Sequence, residues 1–367
     1  MMGTGGLVAL TPLAVMAASA RLLSIDEQAA VAIAAGTGAF LAAIAGAATL
    51  EARLAEPRLA EKTYVPLWAT LLGLLGGVLL ALGEISPVFI CIGLPACMVA
   101  LQIGRLHAVN ASAWKTELVA AAALSIALLV ALLLLLSTSP LAYVPLGVGA
   151  AVAAASRSVG APWRVAGRPA TSTVIWITME TAVVAAIPYV TNFAILAFLG
   201  PADTVAFRLV LSTLGVLQPI LGYVRVRLLG RHSKRLIVGC YGLSALALSS
   251  VLVLHFTGVL MLVYGEAWEP VTVAILLLAS VWKLLTISET APFASLRRRG
   301  SVRTVFTARF VSAVVNVTLT TTAAALSGTM VAVFAAFVLA QMVTIVLYTV
   351  MDSRDRRSRS EGDIQTQ

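Results

Sequence analysis

Charged residues are scarce in this chain of 367 residues, of which only 11% are Asp, Glu, Lys or Arg. Soluble domains carry about 25% charged residues, because their surfaces must be hydrated. The scarcity therefore excludes an ordinary water-soluble protein of this length. Cysteine is scarce too, and the three residues present (Cys91, Cys97 and Cys240) all lie in apolar runs. Neither a disulfide framework nor a cysteine metal site is predicted.

Recognisable enzyme motifs are also absent. The sequence contains no GxxxxGK[ST] phosphate-binding loop, no HExxH or CxxC motif and no GxSxG nucleophile motif. The connections predicted on the outer side are too short for the large acidic loops that membrane glycosyltransferases tend to carry. We therefore predict that the protein is not an enzyme and has no catalytic residues, no metal and no cofactor. A polytopic glycosyltransferase and a non-transporting membrane scaffold stay as less favoured alternatives.

Apolar residues, in contrast, make up 60% of the chain, and the mean hydropathy is +0.99. They form runs of about 20 residues, which is the length an α-helix needs to cross the hydrocarbon core. Long apolar runs of this kind are helical in lipid. We predict an all-α integral membrane protein with about twelve transmembrane helices. Their expected positions are 4–23, 29–49, 64–83, 86–104, 117–136, 140–156, 173–199, 207–224, 236–264, 271–293, 309–327 and 329–350.

The basic residues define an orientation. They lie in every second connection and in the C-terminal tail, and only Arg21, Arg208 and Lys283 of the 25 Lys and Arg residues fall elsewhere. Because cytoplasmic connections carry the excess of basic residues, both termini are predicted to be cytoplasmic. This distribution accounts for the formal charge of +9 without a nucleic-acid partner. The expected location is the cell (plasma) membrane.

The longest polar interval between helices divides the chain in two. The predicted parts are a first six-helix bundle at 1–156, a cytoplasmic linker at 157–172, a second six-helix bundle at 173–350 and a disordered cytoplasmic tail at 351–367. An internal similarity supports this division, because ARLLSIDEQAAVA, from Ala20, resembles AFLGPADTVAFRL, from Ala197. Parallel six-helix repeats are a transporter architecture.

Two segments of the second half resemble a known superfamily. The run AILAFLGPADTVAFRLVLSTLGVLQPI is similar to the turn between the seventh and eighth helices of the multidrug/oligosaccharidyl-lipid/polysaccharide (MOP) exporters. The run SETAPFASLRRRGSVRTVFTARFVSAVVNVTL resembles the last helices of the polysaccharide-exporter branch, near the lipid-linked oligosaccharide flippases. The resemblance implies two six-helix bundles around a central cavity that opens alternately to each side.

A second resemblance favours the major facilitator superfamily, which also has six plus six helices with both ends inside. The segment GYVRVRLLGRHSKR, at 222–235, is similar to the basic loop between its eighth and ninth helices. However, Val226 stands near the place of the acidic residue of that loop. The equivalent first-half loop, EARLAEPRLAEK, has neither Gly nor Asp. We therefore favour the exporter superfamily and keep the major facilitator as an alternative.

Polar residues inside the apolar runs mark candidate sites, because a charge at the bilayer centre costs at least about 2.5–3.5 kcal/mol. Glu180 and Thr191 share one face of the seventh predicted helix, and Asn192 flanks it. Lys283 lies near the middle of the tenth, with Glu289 further round. These five residues are predicted to line a substrate and coupling cavity. The alternative is a structural pair, in which Lys283 bonds to Glu180 or Glu289.

Two arginines lie at matching points of the two halves, near the predicted outer face. Arg21 follows the first apolar run and Arg208 begins the eighth. They are candidate contacts for a phosphate at the exit of a transport path. Anchoring at the lipid headgroups is the alternative role.

Together these features predict a secondary transporter that works by alternating access. The favoured function is a flippase or exporter of a lipid-linked glycan or polysaccharide precursor. A multidrug efflux transporter is the alternative within the same class. The expected partners are the lipid bilayer, an anionic amphiphilic substrate and a proton or sodium ion for coupling.

Overall fold

The computed structural model describes the backbone of residues 2–52, 62–110, 113–159, 165–166, 171–217, 234–299 and 302–365. These residues form thirteen α-helices: α1 (Met2–Leu22), α2 (Ile25–Gly46), α3 (Val65–Ala81), α4 (Pro87–Asn110), α5 (Trp114–Leu136), α6 (Tyr143–Val159), α7 (Thr171–Phe198), α8 (Pro201–Leu214), α9 (Lys234–Phe256), α10 (Val259–Tyr264), α11 (Val273–Arg299), α12 (Val302–Ser327) and α13 (Met330–Gln365). A π-helical turn, Ala47–Glu51, extends α2. Two short segments, Lys62–Thr63 and Val165–Ala166, pair as an antiparallel ribbon.

Nine stretches of the described chain are helical, long and apolar enough to cross a membrane. They coincide with nine of the twelve predicted spans. The other three predicted spans fall on α1, on the 17-residue α6 and on the 14-residue α8. The prediction of an all-α, multi-pass membrane protein is therefore confirmed. The cytoplasmic placement of both termini stays a prediction.

One predicted span, 236–264, is too long. Helix α9 ends at Phe256 because Gly258 adopts a left-handed conformation, with φ of 75°. Glycine takes this conformation without the steric cost that a Cβ atom imposes. The chain then forms the short helix α10 and the 3₁₀ turn Gly265–Trp268. The predicted ninth helix is thus two elements.

The linker and the tail also differ from their predicted forms. Helix α6 continues to Val159 and α7 begins at Thr171, so both enter the predicted linker. Helix α13 runs on to Gln365, so the tail predicted to be disordered after 350 is helical to that residue.

The helices contact one another in two compact units. Unit 1 comprises Met1–Val216 and Gly258–Pro270, and unit 2 comprises Leu217–Thr257 and Val271–Gln367. Contacts therefore group α7 and α8 with the first six helices, and the contact boundary falls after Val216. The predicted division into two six-helix bundles, with its linker at 157–172, stays a prediction.

Unit 1 is built around backbones that touch. A Cβ atom added at Gly76 of α3 would lie 2.8 Å from the backbone nitrogen of Cys97 in α4. One added at Gly77 would lie 2.6 Å from the carbonyl oxygen of Gly147 in α6. Small residues allow such close approach of membrane helices, where dispersion replaces the hydrophobic effect as the packing force. These glycines therefore determine how α3, α4 and α6 pack.

Unit 2 is packed through aromatic rings and hydroxyl groups. Helix α11 packs on α13, with the ring centroids of Trp282 and Phe337 4.8 Å apart. Helices α12 and α13 are joined by a buried hydrogen bond of 2.7 Å between the hydroxyls of Ser312 and Thr344. Interhelical hydrogen bonds of this kind stabilise helix pairs in membranes.

Candidate functional site

The predicted polar face of α7 is buried in unit 1. Glu180, Thr191 and Asn192 have exposed fractions of 5%, 0% and 2%. The Thr191 hydroxyl donates to the carbonyl oxygen of Ile187 in its own helix, at 2.9 Å. The Asn192 amide instead reaches across to α2 and donates to the carbonyl oxygen of Ala32, at 3.4 Å. Asn192 therefore links α7 to α2.

A glycine on α2 allows this contact. A Cβ atom added at Gly36 would meet the Asn192 amide nitrogen at 3.4 Å. Beside it, the rings of Phe40 and Tyr189 stack with their centroids 5.1 Å apart. The Asn192 side-chain oxygen is buried and has no hydrogen-bond partner among the described residues. Because a buried amide oxygen normally accepts a hydrogen bond, this atom can accept one from a water molecule or a ligand.

Arg208, on α8, is buried against the same stretch of α2. Its guanidinium donates to the carbonyl oxygen of Ala35 at 2.8 Å, while its Nε is buried and has no hydrogen-bond partner in the described part of the chain. Across the described residues it makes no ion pair. The carbonyl groups of Ala32 and Ala35 lie about one helical turn apart. Arg208 and Asn192 therefore donate hydrogen bonds to carbonyl groups on adjacent turns of α2.

Arg21, the second predicted arginine contact, lies elsewhere in unit 1. Its Nε donates to the carbonyl oxygen of Val263 at 3.1 Å, and its terminal nitrogen donates to Leu262. It lines an open cavity of about 850 Å³ together with Gln28, Glu266 and nine other residues. The guanidinium therefore attaches the end of α1 to the short helix α10.

The predicted residues of unit 2 lie on α11. Lys283 is 6% exposed, and its ammonium nitrogen lies 4.2 Å from the centroid of the neighbouring Trp282 ring. A cation over an aromatic face is attracted by the ring quadrupole. In the part of the chain that the structure describes, Lys283 makes no ion pair. Its predicted partner Glu180 belongs to unit 1, and their pairing stays a prediction.

Glu289 lies about 1.7 turns further along α11 and contacts α13. Its carboxylate accepts a hydrogen bond of 2.5 Å from the side-chain amide of Gln341. Next to it, the hydroxyls of Ser288 and Tyr241 are hydrogen-bonded, which connects α11 to α9. The face of α11 that carries Glu289 is therefore tied to two neighbouring helices.

Sequence reasoning missed one buried ion pair. Arg157, which was counted with the cytoplasmic linker, lies in α6 and donates to both carboxylate oxygens of Glu117, at 2.8 and 2.7 Å. It also donates to the carbonyl oxygen of Leu101 at 3.2 Å. Both side chains are nearly inaccessible, at 2% and 4% exposure. The signal that could have revealed the pair is Glu117 itself, an acidic residue at the start of an apolar run.

No group of three or more His, Cys, Asp or Glu side chains among the described residues could hold a metal ion. The candidate residues fall into two groups, one described in each unit. The first, the α2 site, consists of Asn192 of α7 and Arg208 of α8, which both donate hydrogen bonds to backbone carbonyl groups of α2. The second, the α11 site, consists of Lys283 and the Glu289–Gln341 pair.

Comparison with solved structures identifies the fold of the chain. No family model matches the chain, and no curated protein is similar to it. A solved eukaryotic MATE transporter, AtDTX14, is 11% identical, matches over 97% of each chain and gives a TM-score of 0.51. Outward-facing and inward-facing structures of a multidrug resistance MATE family transporter of the MOP superfamily are 12% and 13% identical. They match over 98% and 97% of this chain and 95% and 94% of theirs, with TM-scores of 0.48.

The chain has a MATE-like transporter fold. At 11% identity, the similarity to AtDTX14 concerns the fold alone. The resemblance to the MOP superfamily and the major facilitator alternative both stay predictions. The basic loop at 222–235, on which that alternative depends, lies outside the described residues apart from its last two. The MATE-like fold and the nine apolar helices together describe a multi-pass protein in a lipid bilayer.

Proposed function

We propose that this protein is a secondary transporter that moves an amphiphile with an anionic headgroup across the plasma membrane by alternating access. The observation that carries the proposal is that each unit buries a cation with no ion pair among the described residues. These cations are Arg208 and Lys283. A buried charge without a counter-charge costs free energy, so its presence favours a ligand that supplies the missing negative charge.

The chemistry of the two sites favours a phosphate group. The Nε donor of Arg208 has no partner among the residues that the structure describes, and guanidinium groups recognise phosphate well. Lys283 offers a compact positive charge beside an aromatic ring. The resemblance of the last helices to polysaccharide exporters then favours a lipid-linked glycan or polysaccharide precursor, whose lipid and sugar are joined through phosphate. The MATE-like fold supports a transporter of this kind.

A carboxylate inside the membrane can carry the coupling ion. Glu180 is buried on α7, and Glu289 is held by Gln341 on α13. Protonation of a buried carboxylate removes a costly charge, so binding and release of a proton can be linked to a change of conformation. We assign coupling to these two residues, with a proton as the first ion to test and sodium as the second.

Lys283→Met tests the proposal, because methionine is unbranched like the lysine stem and removes only the charge. The purified variant in proteoliposomes should lose at least about tenfold of its flipping rate for a fluorescent polyprenyl-diphosphate glycan. Its thermal midpoint in detergent should be unchanged or raised, since the uncompensated charge is gone. Lys283→Arg is the matched control, since it keeps the charge.

Two results would contradict the proposal. One is a wild-type flipping rate for Lys283→Met. The other is a lowered thermal midpoint that a second change, Glu180→Gln, restores, which would show a structural pair. Transport of a cationic dye, with no flipping of the glycan lipid, would favour the multidrug alternative.

A further inference from the structure

The ends of α4 and α5 carry more positive charge than the neighbouring carboxylate can neutralise. Glu117 is bound through both oxygens by Arg157. A second arginine, Arg105 on α4, lies close enough to interact electrostatically with both members of this pair. Arg105 makes no ion pair in the described chain, and its Nε is buried without a hydrogen-bond partner. The three side chains together keep one positive charge.

A lysine and a tryptophan extend this positive surface outward. Lys115 follows the first residue of α5, is exposed, and lies with its ammonium nitrogen 5.8 Å from the centroid of the Trp114 ring. Trp114 is 60% exposed. Tryptophan concentrates at the boundary between the hydrocarbon core and the headgroups, where its ring is in lipid and its N–H can meet water. The start of α5 is therefore at headgroup level.

Exposed aromatic rings also mark the start of α3, which packs on α4 and α6. Tyr64 is 43% exposed and Trp68 is 67% exposed. Both residues lie within the first turn of α3 or directly before it. This end of unit 1 thus has an aromatic border with a basic centre. Basic surfaces between membrane helices attract the phosphate groups of anionic lipids.

We propose that Arg105 and Lys115 form a binding site for the headgroup of an anionic phospholipid. The half-buried guanidinium of Arg105 donates to the phosphate, Lys115 contributes a second positive charge, and the Trp114 ring packs on the acyl chains. Arg157 is not available for this purpose, because Glu117 and the carbonyl of Leu101 already occupy it. The occupant is a lipid and not a soluble phosphate, since the aromatic border faces the hydrocarbon.

Native mass spectrometry of the purified full-length protein, titrated with phosphatidylglycerol or phosphatidylcholine, tests this site. Each neutralised charge near a membrane surface changes lipid affinity by about fivefold. Arg105→Gln and Lys115→Gln should each weaken phosphatidylglycerol binding by about that factor and leave phosphatidylcholine binding unchanged. Arg235→Gln removes an exposed arginine from unit 2 and serves as the matched control, with binding within about twofold of wild type.

Either of two results would overturn the site. The first is an unchanged affinity for phosphatidylglycerol in both Arg105→Gln and Lys115→Gln, which would exclude the site. Equal losses in Arg105→Gln, Lys115→Gln and Arg235→Gln would show that only net charge matters. Lys115 is exposed, so its variant tests the site even where Arg105→Gln lowers stability. The site is independent of the transported substrate, and its failure leaves the proposed function untouched.

Discussion

A charged side chain inside a membrane protein needs a replacement for the water it has lost. Three of the buried cations among the described residues, Arg157, Arg208 and Lys283, obtain one in different ways. Arg157 has a carboxylate, Arg208 has a backbone carbonyl, and Lys283 has the face of an indole ring. Only the first arrangement neutralises the charge within the described chain. That difference separates a cation that stabilises the fold from two cations suited to an anionic ligand.

The Glu117–Arg157 pair leads to a stability prediction. Glu117→Gln should lower the free energy of unfolding by about 3–5 kcal/mol, because it leaves the Arg157 guanidinium buried without a counter-charge. The double variant Glu117→Gln/Arg157→Gln should recover part of this loss. Thermal unfolding of the purified proteins in detergent measures both.

Glu266→Gln is the control for this pair, because Glu266 is exposed and its neutralisation should change stability by less than about 1 kcal/mol. A double variant that is less stable than the single Glu117→Gln would contradict the account, since removal of both charges should leave no orphan.

The site residues show how far the sequence predicts a membrane site. The cost of a charge in lipid indicates that Lys283 and Glu180 are buried, and both are. It does not indicate the neighbours, because a helical face identifies the side on which a residue lies but not the helix that covers it. The contact of Asn192 with Ala32 joins residues 160 positions apart. The burial of Arg157 is likewise not predictable from its own segment, because it depends on Glu117 in another helix.

At the scale of the helix, the length of each apolar run predicts most of the membrane spans. It does not predict where a helix ends inside an apolar run. The run 236–264 is apolar throughout, and its length alone predicts one helix. The signal for the break was Gly258, after Phe256-Thr257, because glycine commonly ends helices in a left-handed conformation. The extension of α13 into the charged tail is not predicted either. Hydropathy identifies the apolar length that crosses a membrane, and a helix can continue beyond that length.

The packing of α3 leads to a prediction at this scale. Gly76→Ala should lower the free energy of unfolding by about 1–3 kcal/mol, because the new methyl group would lie against the backbone of α4 and the helices would have to move apart. Chemical unfolding in mixed micelles, followed by circular dichroism, measures the change.

Gly242→Ala is the matched control on α9, where the added Cβ would meet no atom of another described element within 4 Å. It should raise stability by about 0.5–1 kcal/mol, since alanine favours the helix over glycine. If both variants are stabilised equally, the backbones of α3 and α4 are not in contact in the folded protein.

At the scale of the whole molecule, the basic residues predict an orientation that the fold alone does not provide. Single cysteines at Ala202 and Ser137, both exposed, should react with a membrane-impermeant maleimide in intact cells. A cysteine at Ser353, which is also exposed, should react only after permeabilisation. The background needs Cys91, Cys97 and Cys240 replaced by serine.

A background protein without cysteine controls for incomplete replacement, and labelling of all three positions after permeabilisation controls for access. Reaction at Ser353 in intact cells would reverse the predicted orientation. It would also move the proposed lipid site at Arg105 to the outer leaflet, since that end of α4 lies on the same predicted side as the C-terminus.

The discontinuous path of unit 1 has a consequence for biosynthesis. Arg21 bonds to carbonyl groups of Leu262 and Val263, which are 241 and 242 residues further along the chain. At about 5–20 residues per second, the ribosome makes Arg21 on the order of ten to fifty seconds before its acceptors exist. Throughout that interval the first helix can contact only the part of the chain that has already been made, and α10 is not yet available to it. A nascent chain that stalls between 217 and 257 is thus incomplete in its first-made unit, and quality control can recognise it there.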